Sequence, residues 1–221
     1  MNRADLPDSL PLFPLTGVLL LPRTHLPLHV FEPRYRAMTQ AALAQSRLIG
    51  MIQPLEGKGD AGDPPLYKTG CAGRIVEFRE TEDGRFFLTL LGVSRFDVAH
   101  EQPKTELFRR AAPDWSPYTG DPGEDEIPGL DRARLMKALE PFLARHGAKA
   151  DLAALHDTPS ARLVDAVAMM APFAPREKQA LLEADPAARA LLLTQLMEMA
   201  LLADAAPASG GSSGAAPGTS H

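Results

Sequence analysis

One cysteine, Cys71, is all the thiol chemistry this 221-residue chain carries. No intrachain disulfide can form, and a reducing compartment, the cytoplasm by default, is the expected setting. Positive charge is in short supply as well. A net charge of −5 and a pI near 5.7 disfavour non-specific binding to nucleic acid or to an anionic membrane. The apolar run Val18-Leu19-Leu20-Leu21 is far too short to span a bilayer, and Asp5, Asp8, Pro11 and Pro14 interrupt any signal-peptide pattern. No phosphate loop of the form Gly-x-x-x-x-Gly-Lys-Ser/Thr occurs, nor any paired acid and base or metal-ligand set. A Gly-x-Ser-x-Gly match at Gly210 to Gly214 lies in a low-complexity stretch without the flanking strand and helix that a nucleophile elbow needs. Catalytic, cofactor and metal residues are therefore expected to be none.

What is present suits a soluble fold with a real core: 45% of residues are hydrophobic and 23% charged. The first half reads as β-rich. Gly17 to Leu21, between Pro14 and Pro22, has the length and apolarity of a buried strand, and Leu28 to Phe31 is a second extended stretch. Pro33 suits a first helical position after Glu32, and Tyr35, Met38, Ala42 and Leu43 recur at helical spacing to about Gln45. Leu48 to Ile52 reads as a strand and the Gly- and Pro-rich Gln53 to Tyr67 as a flexible loop. Arg74 to Arg79 and Arg85 to Leu91 flank Glu82-Asp83-Gly84, a hairpin with a tight turn, and Gly92 marks a bulge or bend.

From Asp131 the apolar period changes from two to 3.6. Helices are expected around Leu135 to Leu143, kinked at Pro141, from Ser160 to Met170 with Thr158 as cap, and from Pro175 to Glu183. A final helix after Asp185-Pro186 is expected to bury Leu192, Leu196, Met199 and Leu202 or Ala203. The acidic run Gly123 to Glu126 reads as a solvated linker, and Ala205 to His221 as a disordered tail. The expected fold class is α+β: a β-rich part over residues 1–120 with one helix, then an α-helical bundle over 121–204, then the tail over 205–221.

Three groups of residues, in this order, resemble the N-terminal substrate-binding domain of Lon-type ATP-dependent proteases. They are Pro11-Leu12-Phe13-Pro14-Leu15 with Leu21-Pro22, Leu26-Pro27-Leu28 and Phe31-Glu32-Pro33-Arg34-Tyr35; then Gly70-Cys71-Ala72, Asp83-Gly84-Arg85 and Gly92-Val93-Ser94-Arg95-Phe96; then Ala171-Pro172-Phe173 with Glu177 to Glu183. The resemblance runs from about Pro11 to Leu202. It implies a twisted, PUA-like β subdomain followed by a helical bundle, and a role in polypeptide recognition without the ATPase and peptidase parts. Implied partners are unfolded polypeptide or a specific protein, an ATP-dependent protease among the candidates, in a groove between the subdomains.

Glu32, Arg34, Tyr35 and Arg95 are the candidate polar rim of such a peptide site, and Trp115 and Tyr118 its exposed aromatic anchors. The structural alternative is that Glu32 pairs with an arginine such as Arg95 to hold its helix on the sheet, and that the aromatics fold back as a lid. The methionines of the second half fit core filling or an adaptable binding surface. His25 and His29 have a metal-like spacing on a helix, but on an extended chain they lie on the order of 13 Å apart. RNA binding through a PUA-like fold, using Arg34, Arg36, Arg109 and Arg110, is the alternative function, and the acidic balance counts against it.

Overall fold

A computed structural model describes residues 6–55, 63–121, 123–147 and 152–203. The expected tail, the Ser212 motif and the middle of the Gln53 to Tyr67 loop lie outside the described residues. The fold is mixed α+β. Its strands are β1 (Leu10–Pro14), β2 (His25–Val30), β3 (Leu48–Ile52), β4 (Thr69–Glu80), β5 (Phe86–Glu101) and β6 (Arg109–Asp114). Helix α1 (Pro33–Ala44) lies between β2 and β3; α2 (Arg132–Arg145), α3 (Leu152–Asp157), α4 (Ser160–Met170), α5 (Pro175–Glu183) and α6 (Pro186–Ala203) follow the sheet.

The strand order is β2-β5-β4-β3-β1-β6, and β6 also pairs with the far half of β5. The long β5 thereby closes five strands on themselves and carries β2 as an appended edge. Leu10, Leu12, Leu48, Ile52, Ala72, Phe96 and Ala111 fill the closed part. A larger apolar cluster runs from the outside of the sheet, with Phe13, Met38 and Leu90, into the helices at Leu135, Leu139 and Leu193. Each fully buried Leu or Phe of this kind contributes roughly 1.5–3 kcal/mol.

Several expectations are corrected. The first strand is Leu10–Pro14, not Gly17 to Leu21. The latter run is irregular, with a turn at Gly17 (φ 73°), yet Leu19, Leu20 and Leu21 are buried. Bonds outside any ladder anchor its end: Leu21 N–H donates to the Thr24 hydroxyl, and just beyond it Arg23 N–H donates to the Gly92 carbonyl and Gly92 N–H to the Thr24 carbonyl. Apolarity signalled burial correctly but not conformation. Strand β6 is a further element; Pro113 sits within it and pairs across to Val98 at the closing seam.

The β4–β5 hairpin is present, with a longer connection than a two-residue turn. Gly84 N–H donates to the Thr81 carbonyl, Thr81 N–H donates to the Arg85 carbonyl, and Gly84 alone in the loop takes a positive φ, 76°. The expected bulge is present opposite Ala72 and Gly73, which pair with Ser94 and Gly92 and leave Val93 out. The acidic run is no mere solvated linker. Glu126 accepts from the Ser160 N–H and hydroxyl, so it, and not Thr158, caps α4. Asp125 receives Arg23 and Arg162.

Helix α6 buries only part of the expected face: Leu192 and Leu196 are partly buried against the core. Ala190, Leu193, Thr194 and Met197 are buried, while Met199 and Leu202 are exposed. The helix is apolar nearly all round, so periodicity gave no single stripe to follow.

Candidate functional site

The six residues singled out in the sequence separate into two places. Glu32, Arg34 and Tyr35 sit at the start of α1. Glu32 accepts from Arg34 Nε at 3.0 Å, with Arg34 Nη2 at 2.9 Å, so the expected Glu32–Arg95 pair does not exist. The Arg34 guanidinium lies 4.4 Å from the Tyr35 ring centre, and that ring packs on Phe13 at 4.3 Å. Burial pushes the Tyr35 phenol above its ordinary value, against the pull of Arg34. Arg34 and Tyr35 border a cleft of about 200 Å³ with Pro14, Pro64, Phe108 and Arg109.

Arg95, Trp115 and Tyr118 are structural. The Arg95 side chain is 8% exposed and grips Asp121, itself 9% exposed, through Nε at 2.9 Å and Nη2 at 3.0 Å. Its Nη1 donates to the Leu182 carbonyl at 3.1 Å and the Ala184 carbonyl at 2.8 Å, which fastens β5 to the end of α5. Tyr118 lies under this guanidinium, 4.6 Å away, and its hydroxyl donates to Asp97 Oδ1 at 2.9 Å. Trp115 is half-buried against Phe96, with Nε1 donating to the Pro7 carbonyl. The lid alternative, not the exposed anchor, describes both aromatics.

The exposed aromatic surface lies elsewhere, on the outer face of β2 and β5. Register pairs His29 with Phe87 and Phe87 with Arg79, making one row across three strands. His29 stacks on Phe87 with ring centres 4.4 Å apart and planes 8° from parallel, and Arg79 caps Phe87 at 5.0 Å. The next row is Pro27, Thr89 and Glu77, with the Thr89 hydroxyl donating to Glu77 at 2.7 Å. Phe31 continues the patch at 60% exposure, and Phe87 is 40% exposed. Phe87, His29, Arg79 and the Pro27–Thr89–Glu77 row border a shallow depression of about 370 Å³. Phe87 was detectable in sequence: Phe86-Phe87 breaks the alternation of a strand whose inward positions are already Phe86, Leu88 and Leu90.

Among the described residues β2 pairs with β5 alone, so its other edge is open. Pro27, which has no N–H to offer, fits the solvent side of such an edge. At its N-terminal end β2 reaches the junction with the helices. There Pro22, Arg23, His25, Ala166, Met169 and Met170 surround a depression of about 250 Å³. Arg23 holds a positive φ of 67° there, a conformation that costs a non-glycine residue of order 1–3 kcal/mol.

Among the described residues no group of three or more His, Cys, Asp or Glu is placed to hold a metal. Cys71 is buried, and desolvation pushes its thiol far above the ordinary value, which removes it as a nucleophile.

The family model for the ATP-dependent protease La (LON) substrate-binding domain matches residues 9–199. Lon protease 2 of Myxococcus xanthus is 27% identical over 202 residues, covering 89% of this chain and 24% of that protein. Lon protease of Anaeromyxobacter dehalogenans is 26% identical over 187 residues, covering 83% and 22%. The chain thus spans less than a quarter of these two relatives. Among solved structures, a Lon N-terminal domain protein from Xanthomonas campestris matches with a TM-score of 0.59 and 27% identity, covering 86% of this chain and 97% of that one. The N-terminal domain of Mycobacterium avium complex Lon protease shares the fold at a TM-score of 0.63 and 18% identity, covering 86% and 98%.

Proposed function

The chain belongs to the ATP-dependent protease La (LON) substrate-binding domain family, and from that premise we propose that it is a non-catalytic module that binds polypeptide. Its ligand is an unfolded segment or a partner protein offering exposed apolar side chains. The observation that carries this reading is the row His29–Phe87–Arg79 beside the open edge of β2. Aromatic faces accept many apolar side chains without demanding one sequence, and Arg79 and Glu77 flank them with charges of both signs.

Strand β2 connects two apolar depressions. His25 lies at the junction between sheet and helices and His29 in the aromatic patch. Four residues of strand cover about 13 Å, so an extended segment laid along β2 reaches both. Backbone pairing along that edge is limited by Pro27, so side-chain contacts supply most of the affinity. A separate ATP-dependent protease is one candidate protein partner. RNA is the less favoured ligand: Arg109 and Arg110 are engaged by Glu101 and Glu106, and the chain is acidic overall.

Fluorescence anisotropy with a labelled, permanently unfolded polypeptide tests the proposal. Saturable binding in the micromolar range that changes little with salt is the expected result. No saturable binding up to several hundred micromolar overturns it, and a salt-sensitive shift with structured RNA moves the function to that alternative.

A further inference from the structure

The open edge of β2 has an end. Before His25 the chain turns through Pro22, Arg23 and Thr24, with Arg23 at a positive φ of 67°. Arg23 N–H donates to the Gly92 carbonyl and Gly92 N–H to the Thr24 carbonyl, which pins this turn to β5. An extended segment laid on β2 therefore runs out of strand here, in the depression of about 250 Å³ that α4 borders from its other side.

The charged residues lining that depression are Arg23, Arg162 and Asp165, and Asp165 is already held by Arg189 at 2.7 Å. The two arginines share one carboxylate oxygen outside the lining: Asp125 Oδ1 accepts from Arg23 Nη1 at 2.6 Å and from Arg162 Nε at 3.1 Å. Glu124 meets Arg23 Nη2 through its main-chain carbonyl, at 2.8 Å. Arg23 Nε is buried without a hydrogen-bond partner among the described residues, and the Arg162 side chain is 60% exposed. His25 stands exposed beside them. Next to this donor-rich end, Met169 and Met170 form an apolar wall, with Met170 74% exposed.

We propose that this depression receives the C-terminal end of the bound polypeptide, with its α-carboxylate at Arg23 and Arg162 and its last side chain on Met169 and Met170. The inference rests on the polypeptide reading above and adds a direction to it: the segment runs antiparallel to β2, from the aromatic row at His29 to its terminus beyond His25. A ligand carboxylate brings the count to two guanidinium groups and two carboxylates, and hydrogen bonds between ionised partners are about twice as strong as neutral ones. Methionine is flexible and polarizable, so the apolar wall accepts last residues of several shapes. An internal segment has to turn out of the depression where the strand edge stops, whereas a chain end does not.

Fluorescence anisotropy provides the test, with an N-terminally labelled apolar peptide of about ten residues, long enough to reach from His29 into the depression. Three forms are compared: the free acid ending in leucine, the same peptide amidated, and an amidated form ending in glutamate. The free acid should bind about tenfold or more tighter than the leucine amide, the step expected of one charge-assisted contact. Arg162→Gln, at an exposed position, should lower that ratio to about threefold or less with unchanged circular dichroism. Equal binding of acid and amide overturns the terminal site and leaves the polypeptide reading standing, and so does a ratio untouched by Arg162→Gln. A glutamate amide that matches the free acid moves the contact to an acidic side chain and overturns the proposal in the same way. No saturable binding of any form overturns it as well, and the unfolded polypeptide titrated alongside decides whether polypeptide binding fails with it.

Discussion

Arg95 of the sheet and Arg189 of α6 meet at one atom: both guanidinium groups donate to the carbonyl oxygen of Ala184, at 2.8 Å and 3.0 Å. Each is neutralised by its own buried carboxylate, Asp121 for Arg95 and Asp165 for Arg189. The last carbonyls of α5 have no partner within the helix, and two cations answer them from opposite sides. This joint fastens the helices to the sheet and so fixes the junction at which β2 begins.

Arg95→Ala should therefore be among the most damaging single changes, costing about 3–5 kcal/mol, because it strands Asp121 and the α5 carbonyls together. Arg95→Lys should recover only part of this, since an ammonium cannot fork to Asp121 while also reaching Leu182 and Ala184. Urea unfolding of the three proteins measures both effects. A loss for Arg95→Ala below about 1 kcal/mol would show that the joint does not hold the two halves together.

Asp97 links stability to pH. Burial works to raise its carboxyl, but hydrogen bonds from Lys68, Thr69 and Tyr118 outweigh it and hold the group below its ordinary 3.8. A depressed folded value means that the contribution is fully present above about pH 4 and is lost as pH falls through the folded value. Wild type should exceed Asp97→Asn in unfolding free energy by about 1–3 kcal/mol at pH 7, with the gap closing toward pH 2. A gap that widens on acidification would contradict the assignment.

Charged pairs mark the limit of what local sequence signals specify. The β4–β5 hairpin, its bulge and the starts of α1 and α6 follow from local signals, Asp83-Gly84, Gly92, Pro33 and Asp185-Pro186, whereas β1 and β6 do not. Arg95 and Glu32 were recognisable as unusual charges, but their partners lie 26 residues away in Asp121 and two residues away in Arg34. No spacing rule connects such pairs; only the closed sheet brings Asp121 under β5. The aromatic row was legible only in part, through the outward position of Phe87 beside inward Phe86 and Leu88. That His29 and Arg79 flank Phe87 depends on the register of β5 with β2 and β4, which tertiary pairing decides.

Gly92 tests the close approach of the Leu19 to Leu21 segment. A Cβ at this position would lie 1.9 Å from the Leu21 carbonyl oxygen, and the backbone there is fixed by hydrogen bonds on both sides. Gly92→Ala should cost about 3 kcal/mol or more, through displacement of buried Leu20 and Leu21. Gly84→Ala, at φ 76° in the hairpin, where a Cβ would meet only the movable Arg36 guanidinium at 3.0 Å, should cost about 1 kcal/mol. Thermal unfolding ranks the two, and a reversed order would refute the close approach.

Cys71 should resist modification. Its thiol is buried and its ionisation suppressed by desolvation. Ellman's reagent at pH 8 should therefore react only on the timescale of unfolding, and stoichiometric labelling should appear once denaturant exposes β4. Labelling within seconds in native buffer would show that β4 opens locally.

The aromatic row can be separated from stability. Phe31 and Phe87 lie on the surface, so Phe31→Glu and Phe87→Ser should leave unfolding free energies within about 1 kcal/mol of wild type. If the patch is the polypeptide site, each should weaken binding of an unfolded ligand by about 5- to 30-fold, the loss expected when a central aromatic contact is removed. Met170→Glu at the junction depression should weaken long segments more than short ones, because only a long segment reaches from His29 to His25. Equal losses for all ligand lengths would confine recognition to the aromatic row, and unchanged binding in all three variants would move the site away from β2 altogether.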